Sequence, residues 1–224
     1  MEKYQNINIL YEDNHLLVVV KPANMPVCLD ASKDMDLLTI LKNYLKDKYN
    51  KPGNVYLGLV HRLDRPVSGI MVFAKTSKAA QRLNQQINDN KFIKTYYAVV
   101  CGKIKKNDLL EDYLLKDEEN NTSYVTNKEC GKLAILEYEA IKTVDNLSLV
   151  KINLMTGRHH QIRVQFASRG YPLYGDHKYN KDFINDKHTD IALVAKELSF
   201  YHPTTKELLS FKIELEKKYP YNLF

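Results

Sequence analysis

The sequence has no apolar run approaching the roughly 18–20 residues that a membrane-crossing helix needs. Cysteine is scarce. Cys28, Cys101 and Cys130 are far apart, odd in number and never spaced C-x-x-C, which argues against a disulfide framework and makes a reducing cytosol the simplest location. The first ten residues are polar and mixed in charge, unlike a secretion signal. No internal repeat or Gly/Ser linker breaks the chain. A Walker loop, a G-x-G-x-x-G turn and a G-x-S-x-G elbow are all missing, which removes the usual signatures of nucleotide binding and serine hydrolysis. H-E-x-x-H and Cys/His clusters are missing too. Adjacent histidines such as His159 and His160 would point about 100° apart on a helix, so no metal is expected.

What remains is an ordinary globular composition, with 44% apolar and 27% charged residues over 224 positions. That length suits one domain, or two subdomains sharing a core and one sheet. The net charge of +6 is unevenly spread. Residues 61–106 carry ten Lys/Arg against Asp64 and Asp89, and residues 156–181 carry five against Asp176, so the rest of the chain is net acidic. A basic footprint confined to two segments fits a phosphate-binding face, although solvated helix faces would look similar.

The apolar pattern is strand-rich. Residues 7–11 and 16–20 form a hairpin around Glu12-Asp13-Asn14. Apolar positions 37, 38, 41, 44 and 45 predict a helix capped by Asp36. A buried-type strand covers 69–74. A helix capped by Thr76 or Ser77 follows to about Asn90, with Ala80, Leu83 and Ile87 facing inward. Strands are expected at 96–100, at 134–141 with 147–154 around Asp145-Asn146, and at 191–200 with 207–214. A helix runs from near His159 to Gly170, and the acidic stretch 108–119 reads as a solvated loop. Without βαβ alternation, this predicts an α+β fold with a mixed, largely antiparallel sheet and flanking helices.

Three polar clusters interrupt the apolar frame. In His61-Arg62-Leu63-Asp64-Arg65-Pro66-Val67-Ser68-Gly69, two arginines flank Asp64 and would keep it ionised, as a nucleophile or base needs. A structural ion pair would use the same residues. In Thr156-Gly157-Arg158-His159-His160-Gln161-Ile162-Arg163-Val164-Gln165, Gly157 before a helix leaves backbone N–H groups for an anion. In Lys94-Thr95-Tyr96-Tyr97, a strand would place Lys94 and Tyr96 on one face, where the tyrosine stacks on a base or fills core.

Together these clusters resemble the RluA-type family of RNA pseudouridine synthases. His61-Arg62-Leu63-Asp64-Arg65 with Ser68-Gly69 is similar to its H-R-L-D-x-x-x-S-G block. Lys94, Tyr96, Ala98, Val100 and Gly102 follow its K-x-Y-x-A-x-V-x-G strand. Thr156-Gly157-Arg158 with His160-Gln161-Ile162-Arg163 and Gln165 follows its T-G-R-x-H-Q-I-R-x-Q segment. Leu10 to Asp13, Lys21-Pro22, Gly175-Asp176, Leu198-Ser199-Phe200 and His202-Pro203 also fit, so the resemblance spans about residues 8–215. Val194, Asn24 and Pro66-Val67 depart from the pattern without touching a presumed catalytic group.

The resemblance implies an enzyme that breaks the uridine N-glycosidic bond, turns the base and rejoins it through C5, without metal or cofactor. It implies a central RNA-binding cleft, while the few residues before position 8 are not expected to hold the S4-type RNA-binding module that many relatives carry. Asp64 falls on the catalytic aspartate, which would attack ribose C1′, attack uracil C6 or remove a C2′ proton. Tyr96 falls on the ring that stacks on uracil, and Arg163 on the arginine that pairs with the aspartate. Arg62 falls on the residue that fills the gap left by a flipped nucleotide. His61, Arg65, Lys94, Arg158, His160 and Gln161 are expected to bind substrate. The implied partner is ribosomal or transfer RNA, and the implied state a cytoplasmic monomer away from membranes. A catalytically silent RNA-binding protein and a metal-dependent RNA hydrolase are the competing readings.

Overall fold

A computed structural model describes residues 7–30, 32–186 and 188–224. The chain divides into two compact units, residues 1–92 with 197–213, and residues 93–196 with 214–224. In chain order the elements are β1 (Asn8–Glu12), β2 (Leu16–Lys21), α1 (Leu37–Lys48), β3 (Gly58–Leu59), β4 (Ser68–Ala74), α2 (Ser77–Asn88), β5 (Ile93–Cys101), β6 (Asn107–Asp117), β7 (Thr122–Thr126), β8 (Lys132–Val144), β9 (Leu147–Leu154), α3 (Gln161–Ala167), β10 (Leu193–Tyr201) and β11 (Leu208–Lys212). The architecture is α+β with mostly antiparallel pairing, as the strand-rich pattern indicated.

In the first unit, β1 and β2 form the expected hairpin. The Asp13 carboxylate closes its turn by accepting from the backbone N–H of His15 at 2.7 Å and Leu16 at 2.6 Å. β2 pairs with β4 in a register that sets Leu16 opposite Ala74 and Lys21 opposite Gly69. That register brings Lys21 to the end of β4 where the 61–68 loop arrives. Asp36 caps α1 by accepting from Thr39 N–H at 3.0 Å, and Leu37, Leu41 and Leu45 are its buried stripe. Thr76 caps α2, where Ala79 and Leu83 are buried while Ala80 and Ile87 pack at the margin. The core gathers Leu16, Val18, Ile70, Val72, Leu83, Phe92 and Phe200.

In the second unit the strands follow the order β5-β9-β8-β6-β7, antiparallel at each step. β8 and β9 turn at Asp145, whose φ of 53° is the left-handed conformation an Asp-Asn turn tolerates. Two expectations are corrected here. The acidic stretch 108–119 is mainly β6, not a loop. Leu110 and Leu114 are buried on one face, Asp108 and Glu111 stay exposed, and Asp112 is matched by Arg169 at 2.8 Å. The helix begins at Gln161 rather than His159, because His160 takes a left-handed φ of 53° that no α-helix continues through. His159 and Arg163 therefore do not share a helical face.

Candidate active site

The Asp64 loop belongs to the first unit. It leaves β3 and enters β4 through a turn in which Val67 N–H donates to the Asp64 carbonyl at 3.0 Å. Leu63 and Val67 are buried, which anchors the loop on both sides of Asp64 and leaves Arg62 exposed. His61 is an anchor as well. Its Nε2 accepts the Val72 backbone N–H at 3.1 Å, so the imidazole is neutral, and the ring packs edge-on against Phe92.

The arginine flanking Asp64 on its C-terminal side turns to the 30–34 segment. Arg65 donates to Ser32 Oγ at 2.9 Å and pairs with Asp30 and Asp34. A different cation underlies the loop. The fully buried Lys21 ammonium donates to the carbonyls of Pro22 at 2.9 Å, Met25 at 2.8 Å and Arg65 at 3.0 Å. Burial pushes its pKa down to about 7, and the negative charge of Asp64 works in the opposite direction. In the sequence Lys21 stood out only through the Lys21-Pro22 pair that fits the family pattern. Its role depends on a carbonyl 44 residues away, which local reading cannot find.

The second unit holds Lys94, Tyr96, Arg158, His160, Gln161 and Arg163. Tyr96 is nearly fully buried on β5, opposite Ile152 of β9. Lys94 lies on the same strand face, half-buried, and burial lowers its pKa. Gln161 staples the preceding loop. Its Oε1 accepts from Thr156 Oγ1 at 2.8 Å and from Arg158 N–H at 3.0 Å, while its Nε2 donates to the Ile135 carbonyl at 3.1 Å. The Arg158 amide is therefore taken, and the expected anion nest beside Gly157 is not left open there. The Arg158 side chain donates from Nε to the Leu133 carbonyl at 2.8 Å.

Arg163 is buried on α3 and grips Asp176 through two parallel bonds, Nε to Oδ2 at 2.8 Å and Nη2 to Oδ1 at 2.7 Å. This bidentate geometry is the strongest form of Arg–carboxylate pairing. Asp176 Oδ1 also accepts from the Lys178 backbone at 2.9 Å. The Tyr179 ring lies 5.2 Å from the Arg163 guanidinium. Its hydroxyl accepts the Ser123 N–H at 2.7 Å and shares a hydrogen bond with His160 Nδ1 at 2.8 Å. Burial, with Arg163 and His159 adding to it, pushes the His160 pKa down to about 2, so the ring is neutral. Tyr179 carried no signal in the sequence, and Asp176 only its place beside Gly175. Among the described residues, no group of three or more His, Cys, Asp or Glu could hold a metal ion, and no helix is long and apolar enough to cross a membrane.

Comparison with known proteins brings these motifs under one name. Residues 15–168 match the family model described as RNA pseudouridylate synthase. An uncharacterized RNA pseudouridine synthase of Aquifex aeolicus is 35% identical, over 93% of this chain and 69% of that protein. The ribosomal large subunit pseudouridine synthase D of Buchnera aphidicola is 33% identical, over 94% of this chain and 69% of that protein. Among solved structures, human RNA pseudouridylate synthase domain containing 4 superposes with a TM-score of 0.78 at 20% identity, covering 94% of this chain and 89% of that one. That likeness concerns the fold. The family match and the two relatives place the motif residues in a known enzyme class, and the chain belongs to the RNA pseudouridylate synthase family of isomerases.

Proposed function

We propose that this chain converts uridine to pseudouridine in structured ribosomal or transfer RNA, with Asp64 as the catalytic carboxylate. The observation that carries the reading is the Asp64 loop. Its side chain stands on a turn held by buried Leu63 and Val67 and supported by Lys21 through the Arg65 carbonyl. A reacting carboxylate must be presented in a fixed orientation, and this loop supplies one.

The N1–C1′ bond of the target breaks, the uracil turns, C5 bonds to C1′, the C5 proton is lost and N1 takes up a proton. Asp64 acts at C1′, at C6 or on the C2′ proton. Tyr96 stacks on the uracil, and Arg163, held by Asp176, is the supporting arginine. Arg62, exposed on the loop, takes the place of the flipped nucleotide. Flipping costs a few kcal/mol, least in an RNA loop where the base is already unpaired. Ribosomal RNA is favoured by the Buchnera relative, whose name assigns it to the large subunit.

The test is a mass-spectrometric or tritium-release assay on total cellular RNA. The wild type should form pseudouridine. Asp64→Asn should lower turnover by roughly 10²–10⁴-fold or more while leaving RNA affinity and fold nearly unchanged. Turnover retained in Asp64→Asn would remove the assignment. No product from the wild type would favour a silent RNA-binding protein, and strand scission blocked by EDTA a metal-dependent hydrolase.

A further inference from the structure

The ammonium of Lys94 is half-buried, and among the described residues it has neither a hydrogen-bond nor an ion-pair partner. In this it differs from Lys21, which has three carbonyls, and from Arg163, which has a carboxylate. Its only resolved electrostatic influence is burial, with no neighbouring acid to offset it. A cation kept from water without a partner opposes folding, and such groups concentrate at binding sites.

Gly157 is the second observation. Its φ lies outside the left-handed region, so its backbone does not require glycine. A Cβ at this position would lie 3.8 Å from Lys94 Nζ, and a branched side chain would begin to cover the ammonium. The missing side chain leaves that approach open. The third observation is the strand. Lys94 and Tyr96 share one face of β5, their Cα atoms about 6.6 Å apart at the usual strand rise. RNA presents a base and a backbone phosphate side by side, and an aromatic ring next to a cation is the pairing that single strands bind.

We propose that Lys94 anchors a backbone phosphate of the bound RNA strand beside the base that Tyr96 stacks on, through the gap kept open at Gly157. This rests on the RNA-modifying reading above and names the chemical group that Lys94 takes.

The experiment measures affinity for a uridine-rich single-stranded oligoribonucleotide across a salt series, using the full chain. Lys94→Gln should weaken binding severalfold at low salt and reduce the slope of log K against log salt by about 0.7, the value for one single-strand phosphate contact. Lys94→Arg should keep the slope. Gly157→Val should lose it with the lysine intact. Lys94→Gln should also melt no lower than the wild type, since it removes a charge without a partner. An unchanged slope in Lys94→Gln overturns the proposal, as does loss of turnover with affinity and slope intact, or a lowered melting temperature. Pseudouridine formation is scored separately on total RNA. A wild type that binds but makes no product overturns the enzymatic reading, and the slope still reports on Lys94.

Discussion

Lys21 and Arg163 are both buried cations, one in each unit, and they are satisfied in opposite ways. Among the described residues, the Lys21 ammonium donates to backbone carbonyls, with the Asp64 charge acting on it through space. Arg163 faces a carboxylate at 2.7 Å in a bidentate pair. A carbonyl cage solvates a cation without neutralising it, so burial brings the lysine proton within reach of ordinary pH. A guanidinium stays charged throughout that range. The support beneath Asp64 is therefore sensitive to pH, whereas the support on α3 is permanent.

The Arg163–Asp176 pair should give the larger effect when broken. Asp176→Asn removes the charge from a buried bidentate pair, and breaking such a pair costs about 3–5 kcal/mol. Chemical denaturation should show it as a lower midpoint. Replacing both partners, Arg163→Met with Asp176→Leu, should recover much of that stability but not turnover. Equal loss in single and double variants would show that the helix depends on something other than the pair.

The Lys21 contrast sharpens with pH. Its native pKa of about 7 lies below its ordinary 10.5. Between those values the unfolded chain binds a proton that the native chain releases, so stability from this group rises as pH increases. The slope approaches about 1.4 kcal/mol per pH unit. Lys21→Met should lose that rise, measured as unfolding free energy from pH 7 to 10. It should also be weaker at pH 7, where three carbonyls lose their donor. Asp176→Asn should keep the rise. A Lys21→Met curve parallel to the wild type would show that the lysine keeps its proton and the cage is no pH sensor.

The smallest effect is expected at Tyr179. Tyr179→Phe keeps the ring beside Arg163 but removes the hydroxyl joining Ser123 to His160, for about 1–2 kcal/mol. Turnover should change little, because the arginine keeps both its carboxylate and its ring. Tyr179→Leu removes the ring as well and should lower kcat more than it raises KM. If Phe and Leu lower kcat equally, the hydroxyl rather than the ring holds Arg163.

These elements also show how far the sequence could be read. The caps Asp36 and Thr76 and the turn at Asp145 are local devices, each completed within four residues, and they lie where the pattern put them. β6 escaped because acidic side chains on exposed positions hid the buried Leu110 and Leu114. The start of α3 shifted because His160 adopts a backbone angle that spacing does not encode. The motif residues were legible through resemblance, but their supports were not. The Lys21 cage closes across 44 residues, the Arg163 pair across 13 and the Tyr179–Ser123 bond across 56. Such contacts are set by tertiary packing and leave no periodic trace. The charge map pointed to Lys94 only as one of ten basic residues, and its lack of a partner among the described residues is visible only in three dimensions.

If Asp64 carries uridine isomerisation, its replacement must show in cellular RNA. Nucleotide-resolution mapping of pseudouridine in RNA from cells lacking this protein, complemented with either the wild type or Asp64→Asn, tests it most directly. One or a few positions should be restored by the wild type and not by Asp64→Asn, with both proteins present at equal levels. Restoration by Asp64→Asn, or an identical map with and without the protein, would contradict that role for Asp64.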